Sequence, residues 1–237
     1  ITWLDGRNTK VGDDYGAMTL RAGIFDSSGK TLSEWEVDQR VCDCCQTSSA
    51  MTAKGPLVVY RDRSENEIRD ISLIRYSDDE WTTPRTVYND NWQINGCPVN
   101  GTAVSARDNQ VAVAWFTAKD DTPKVQLALS SDSGDSFSEP VEVAGPETNG
   151  RVGTTILDSG AIVVSWIDTS EADAKIMFSV FSAEGKLLDA IEVAETSASR
   201  RSGFPIIESV GDSVFVSWTD VSEIPQVKVA RINFEFE

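Results

Sequence analysis

Four cysteines carry the reactive side chains of most interest in this 237-residue chain: Cys42, Cys44 and Cys45 in a CxCC run, and Cys97 further on. There is no histidine. That excludes Ser-His-Asp and Cys-His nucleophilic catalysis and every His-ligated metal site. Any chemistry must run on thiols, carboxylates, Tyr, Arg, Lys or a bound ion. Four cysteines allow three full pairings, and each leaves one bond within Cys42–Cys45. A bond between adjacent Cys44 and Cys45 is strained, so Cys42–Cys45 with Cys44–Cys97 is the sterically easiest set. The other reading is a thiolate metal site, for which Cu(I) or a zinc tetrathiolate are the candidates. Reduced, unliganded thiols are the third.

These residues must be held by something regular, and the chain supplies a repeat. Strand-like runs occur at ITWLD (Ile1–Asp5), LVVYRD (Leu57–Asp62), VAVAWFT (Val111–Thr117), IVVSWID (Ile162–Asp168) and VFVSWTD (Val214–Asp220). Each places an aromatic near its end: Trp3, Tyr60, Trp115, Trp166 and Trp218, spaced by 57, 55, 51 and 52 residues. A period near fifty, filled with short strands and tight Gly/Asn/Asp turns, is the signature of a β-propeller. The expected modules are approximately 1-39, 40-95, 96-148, 149-199 and 200-237, within one domain. The middle three read as four strands each and the outer two as three, with a polar loop over Asn8–Gly16. That array does not close into four-stranded blades, and open edges invite aggregation. The expectation is therefore a part of a longer ring, or a ring completed by another chain. Cys42 and Cys97 both stand 18 residues ahead of their module's aromatic, so they are expected at matching places on neighbouring inner strands. Asp5, Asp62, Asp168 and Asp220 each lie two places past the aromatic and read either as turn caps or as a ring of acids.

In the third module SSDSGDSF supplies Ser130, Asp132, Gly134 and Phe137, a Ser-x-Asp-x-Gly-x-x-aromatic pattern. It resembles the Asp-box of the sialidase (BNR-repeat) superfamily. Its role is structural: the short polar side chains bond the amides of a hairpin and the glycine takes a positive φ. Degenerate versions follow at FDSSGKTL, YSDDEW and FSAEGKLL. TWLDGR, RVCDCCQT, YRDRSENEIRDI, GCPVNG, VAVAWFTA and SGFP together resemble a bacterial exo-α-sialidase-like group. That resemblance implies an all-β, six-bladed propeller in the periplasm or secreted, with four to five blades in this chain and others upstream of Ile1. The chain begins inside a strand without Met, as a processed or truncated product would.

Sialidases hold a sugar carboxylate with three arginines and use a Tyr–Glu nucleophile with an Asp acid/base. On this chain the arginines entering an inner strand are Arg40, Arg151 and Arg201, suited to bidentate anion contacts. Ordinary blade-edge arginine is the alternative. No Arg-Ile-Pro motif is evident, and Tyr60 occupies a core aromatic position. YRDRSENEIRD (Tyr60–Asp70) reads as a solvated hairpin with internal ion pairs. The expectation is a sialidase-like propeller that binds a ligand at the mouth of its central channel, an acidic glycan or a protein partner. The alternatives are an exo-α-sialidase-type glycoside hydrolase and a copper- or zinc-binding propeller.

Composition narrows the partners. A formal net charge of -17 argues against nucleic acid and anionic membrane surfaces, and suits an extracellular or salty setting. With 40% hydrophobic residues the chain can build a full core, yet no run approaches the ~18 apolar residues of a membrane span.

Overall fold

The computed structural model describes residues 1–10 and 15–236. Part of the expected loop Asn8–Gly16 lies outside them. Nineteen strands form five antiparallel sheets among the described residues. The first sheet holds β1 (Thr2–Asp5), β2 (Thr19–Phe25) and β3 (Thr31–Asp38). The second holds β4 (Ser48–Thr52), β5 (Gly55–Arg61), β6 (Ile71–Ser77), the short β7 (Glu80–Trp81) and β8 (Arg85–Tyr88). The third runs β9 (Thr102–Arg107), β10 (Gln110–Thr117), β11 (Lys124–Ser130) and β12 (Val141–Ala144). The fourth runs β13 (Thr148–Ile156), β14 (Ile162–Asp168), β15 (Ala174–Phe181) and β16 (Leu187–Thr196). The fifth holds β17 (Ile206–Val210), β18 (Ser213–Asp220) and β19 (Gln226–Asn233). The strand beyond expectation is β7, a two-residue arm made by the Asp78–Asp79 turn, where both residues take positive φ.

The repeated aromatic strands are β1, β5, β10, β14 and β18, and their burial explains their composition. Alternate residues of a strand face opposite ways. On β5, Leu57 and Val59 pack toward the third sheet with Val111, Val113 and Trp115, while Val58 and Tyr60 pack toward the first with Leu20. On β10, Ala112 and Ala114 face the fourth sheet and meet Ile162 and Val164. On β14, Val163 faces the fifth sheet and meets Val214 and Val216. Sheets two to four are thus apolar on both faces, so their middle strands read as continuous hydrophobic runs. Each fully buried Val, Leu or Ile contributes about 1.5–3 kcal/mol relative to exposure. The fifth sheet differs. Val214 and Val216 are buried, but Phe215, Ile206, Val210, Val227 and Val229 leave its other face apolar and exposed.

The inner strands β4, β9, β13 and β17 lie side by side and are joined by hydroxyls. Ser48 Oγ accepts from the Val104 amide, Ser105 Oγ accepts from the Ile156 amide, and Ser209 Oγ donates to the Ile156 carbonyl. Among the described residues no continuous ladder crosses this seam, so side chains supply the partners that buried amides require. No described helix is long and apolar enough to cross a membrane.

Candidate functional site

The segment that leads into β4 carries Val41–Cys45, and its start is pinned by two backbone bonds. Val41 donates its amide to Met18, and Cys42 donates to the Arg61 carbonyl. This tight path stacks the sulfurs. Cys42 Sγ and Cys45 Sγ lie 3.2 Å apart and share a hydrogen bond, and Cys44 Sγ lies 4.0 Å from Cys42 Sγ. Cys44 and Cys97 form a disulfide across the second and third sheets, while Cys42 and Cys45 are free thiols, both buried. This matches one bond of the sterically easiest pairing and leaves the other pair within contact. The cysteines precede the inner strands rather than lying on them: β4 begins at Ser48 and β9 at Thr102. Eighteen-residue spacing marks a common place in each module, but that place is a loop at the end of the inner strand.

The site's electrostatics come from residues whose importance the sequence concealed. Arg69 is buried, donates Nη1 to Cys42 Sγ at 3.2 Å, and pairs through Nη2 with Glu67 at 2.7 Å. Its Nε has no partner among the described residues. Arg61 is 1% exposed and donates to three backbone carbonyls: Asn100 at 2.7 Å, Arg69 at 2.6 Å and Phe116 at 2.6 Å. Its guanidinium also stacks on Trp92, 5.1 Å from the ring centroid. Burial draws the Arg61 pKa down, opposed by the thiols Cys45 and Cys42 and by Asp90 and Asp70. The charged hairpin is therefore only partly solvated. Arg63 pairs with Glu67 inside the hairpin as expected, and also with Asp43 outside it, but Arg61 and Arg69 turn inward. The sequence signal for this is slight: Arg61 shares a face of β5 with Val59, and nothing in the run LVVYR tells where the guanidinium goes.

Cys42 is an acidic thiol, lowered to about 6 by its hydrogen bond with Cys45, by the Cys44 amide, and by the charges of Arg69 and Arg61; burial opposes them. Once Cys42 loses its proton, Cys45 becomes the donor. The bond to Cys42 and burial push the Cys45 thiol up. The sulfurs of Cys42, Cys44 and Cys45 all lie within 4.8 Å of one another, close enough to hold a metal. With Cys44 in a disulfide, however, two thiols remain. Two thiolates suit a soft ion, whereas structural zinc takes four ligands.

Beside this cluster, the inner strands enclose a groove of about 720 Å³. Cys45, Ser48, Thr102, Thr154, Phe204 and Glu208 are among its walls, and no Arg or Lys lines it. A cleft of about 220 Å³ adjoins it through Phe204 and is walled by Asn100, Asn149, Arg151 and Arg200. Of the expected arginines, Arg151 is in this cleft on β13, but it is largely engaged. Its Nη1 donates to Ser202 Oγ at 2.6 Å and to the Gly203 carbonyl, and its Nη2 donates to the Ala198 carbonyl at 2.9 Å. Its amide donates to Asn100 Oδ1. Arg201 is exposed on a short 3-10 turn (Arg200–Ser202), and Arg200 rather than Arg201 lines the cleft. Arg40 is half-buried ahead of β4 and lines neither space. Tyr60 donates its hydroxyl to Asp38 Oδ2 at 2.6 Å but is fully buried, away from both.

The Asp-box forms as its residue types require. Asp132 Oδ1 accepts from the Ser130 hydroxyl at 2.7 Å and the Ser136 amide at 2.9 Å. Ser130 Oγ accepts from the Gly134 amide, and Gly134 takes φ 84. Phe137 packs on the core shared by the second and third sheets. Asp26 builds the same turn from Ser28 and Lys30, with Gly29 at φ 83. Three of the four acids after the repeated aromatics are turn caps, whereas Asp62 is half-buried and accepts from the Ser72 hydroxyl. Asp5, Asp168 and Asp220 each accept from the amide two residues on.

No family model matches the chain, and no curated protein matches it. Solved structures do. The chain is similar to the sialidase of Trypanosoma rangeli in complex with sialic acid, at 11% identity over 97% of this chain and 40% of that one, with a TM-score of 0.57. The fold is a sialidase-like β-propeller. A xylan β-1,4-xylosidase from Bacillus halodurans C-125 aligns at 11% identity over 80% of this chain and 40% of that one, with a TM-score of 0.54. The six-bladed lectin of Aleuria aurantia, which recognises fucose, aligns at 12% identity over 93% and 75%, with a TM-score of 0.52. This chain spans about 40% of the length of the xylosidase and the sialidase. At these identities the likeness is one of fold, and function rests on the site.

Proposed function

We propose that this propeller binds a glycan at the end of its inner strands, with an acidic substituent in the Arg151–Arg200 cleft and a sugar ring against Phe204. The observation that supports this reading is that Phe204 lines both spaces. Sugar sites join an aromatic or apolar face to hydroxyl partners, and here Thr47 and Ser49 lie in the same groove. Glu208 in the groove disfavours an anion there, and Arg200 offers one a place beside it. Binding is favoured over hydrolysis because neither space is lined by a tyrosine. An extracytoplasmic setting fits the Cys44–Cys97 disulfide, since such bonds persist in oxidising compartments.

Isothermal titration with sialic acid and with neutral galactose tests the reading. Sialic acid is expected to bind, galactose to bind more weakly, and Arg200→Ala to remove the difference. Equal or undetectable heats for both sugars would sink it. A second reading, a two-thiolate site for a soft ion such as Cu(I), is supported by the clustering of Cys42 and Cys45. Copper and zinc analysis of protein purified without chelator tests it.

A further inference from the structure

The four cysteines form one connected set of sulfurs. Cys42 Sγ touches Cys45 Sγ at 3.2 Å and faces Cys44 Sγ at 4.0 Å, and Cys44 is bonded to Cys97. Their surroundings are graded from inside to outside. Cys42 and Cys45 are fully buried, Cys44 is half-buried, and Cys97 is exposed. A buried guanidinium, Arg69, donates to the Cys42 sulfur at 3.2 Å. Thiolates are the nucleophiles of disulfide exchange, and a neighbouring cation favours them.

We propose that these residues make a thiol–disulfide exchange relay, in which the disulfide migrates from Cys44–Cys97 to Cys42–Cys45 and frees Cys97 at the surface. In the first step the Cys42 thiolate attacks Cys44 Sγ. The Cys42–Cys44 bond forms, the Cys44–Cys97 bond breaks, and Cys97 leaves as a thiolate that takes a proton from water. In the second step Cys45 gives its proton to water and attacks Cys42 Sγ. The Cys42–Cys45 bond forms, the Cys42–Cys44 bond breaks, and Cys44 leaves as a thiolate and is protonated. The count of disulfides is unchanged, so no outside oxidant is required. The freed Cys97 thiol is the group presented to a thiol- or disulfide-bearing partner. Arg69 is a positioning residue that holds the Cys42 sulfur and stabilises its charge.

The test uses the full chain carrying one disulfide, prepared with one equivalent of dithiothreitol where both have formed. Samples are acid-quenched over time, alkylated, and mapped by mass spectrometry. Both isomers, Cys44–Cys97 and Cys42–Cys45, are expected and should interconvert. Cys42→Ser is expected to hold the bond at Cys44–Cys97, and Cys45→Ser to stop migration at Cys42–Cys44. Labelling of Cys97 by 5,5′-dithiobis(2-nitrobenzoate) should track the migration. Arg69→Met should slow exchange by about tenfold, with Arg69→Lys restoring most of the rate. The relay is overturned if the wild-type chain keeps one isomer for hours, if Cys42→Ser exchanges as fast as wild type, or if a retained metal ion blocks alkylation of Cys42 and Cys45.

Discussion

Arg69 Nη1 donates a hydrogen bond to Cys42 Sγ across 3.2 Å of buried space. It places a fixed positive charge on a sulfur that sits 27 residues away in sequence. Cys42 is lowered to about 6, first by Cys45 and also by Arg69. In the two-thiol state, thiolate absorbance should therefore rise around pH 6. Cys45→Ala should move this transition upward the most, toward the ordinary thiol value of about 8.5, and Arg69→Met should move it upward less. An unmoved transition in both variants would contradict this account of the sulfur's acidity.

Arg61 holds three carbonyls from three segments. Arg61→Ala leaves all three unpaired and removes the charge opposite Asp70 and Asp90. A loss of about 3–5 kcal/mol is expected in urea unfolding. Because two of those carbonyls, Asn100 and Phe116, belong to the third module, denaturation should weaken the second and third sheets together rather than one alone.

Asp132 and Asp135 stand three residues apart in one turn and should behave differently. Asp132 accepts four hydrogen bonds from Ser130 and Ser136 and their neighbours, and its carboxyl is held well below the usual range, chiefly by Ser136 and Ser130. Asp135 meets Lys54 and Arg75 as a half-exposed acid. Asp132→Ala should cost about 1–2 kcal/mol and Asp135→Ala under about 1 kcal/mol, measured by thermal unfolding.

Asp62 and Asp90 are both raised from 3.8 to about 6, mainly by burial. A carboxyl with a raised folded pKa binds its proton more tightly in the native state. Stability should therefore rise as pH falls from about 7 through 6 toward 4. Asp62→Asn should flatten part of that rise. Asp5, held well below the usual carboxylate range by Arg7, loses its contribution only at more acidic pH. A thermal midpoint lower at pH 5 than at pH 7 would contradict the assignment.

The repeat was legible because burial on both faces forces the middle strands to be apolar throughout. β14 spans Ile162–Asp168, the run read from the sequence, and β10 extends it by one residue at Gln110. The Asp-box was legible because its bonds close within one turn. The hub around Arg61 was not. A lone arginine ending a strand looks the same whether it meets solvent or three carbonyls, and those carbonyls lie up to 55 residues away. Arg151 illustrates the same limit: its position near the inner strands was readable, while its engagement by Ser202, Gly203 and Ala198 depends on how a distant loop folds.

The Asp-box turn of the third sheet does not end at its own hairpin. Arg75 and Arg85, both from the second sheet, reach across to the Ser133, Gly134 and Asp135 carbonyls, and Lys54 reaches the Asp132 carbonyl at 3.2 Å. The turn is therefore a clasp as well as a cap. Prising these two sheets apart at the rim requires three cations to release four carbonyls at once. The second and third sheets are thus bound at two levels, by surface cations on the outer turn and by the Arg61 guanidinium and the Cys44–Cys97 bridge at the inner end.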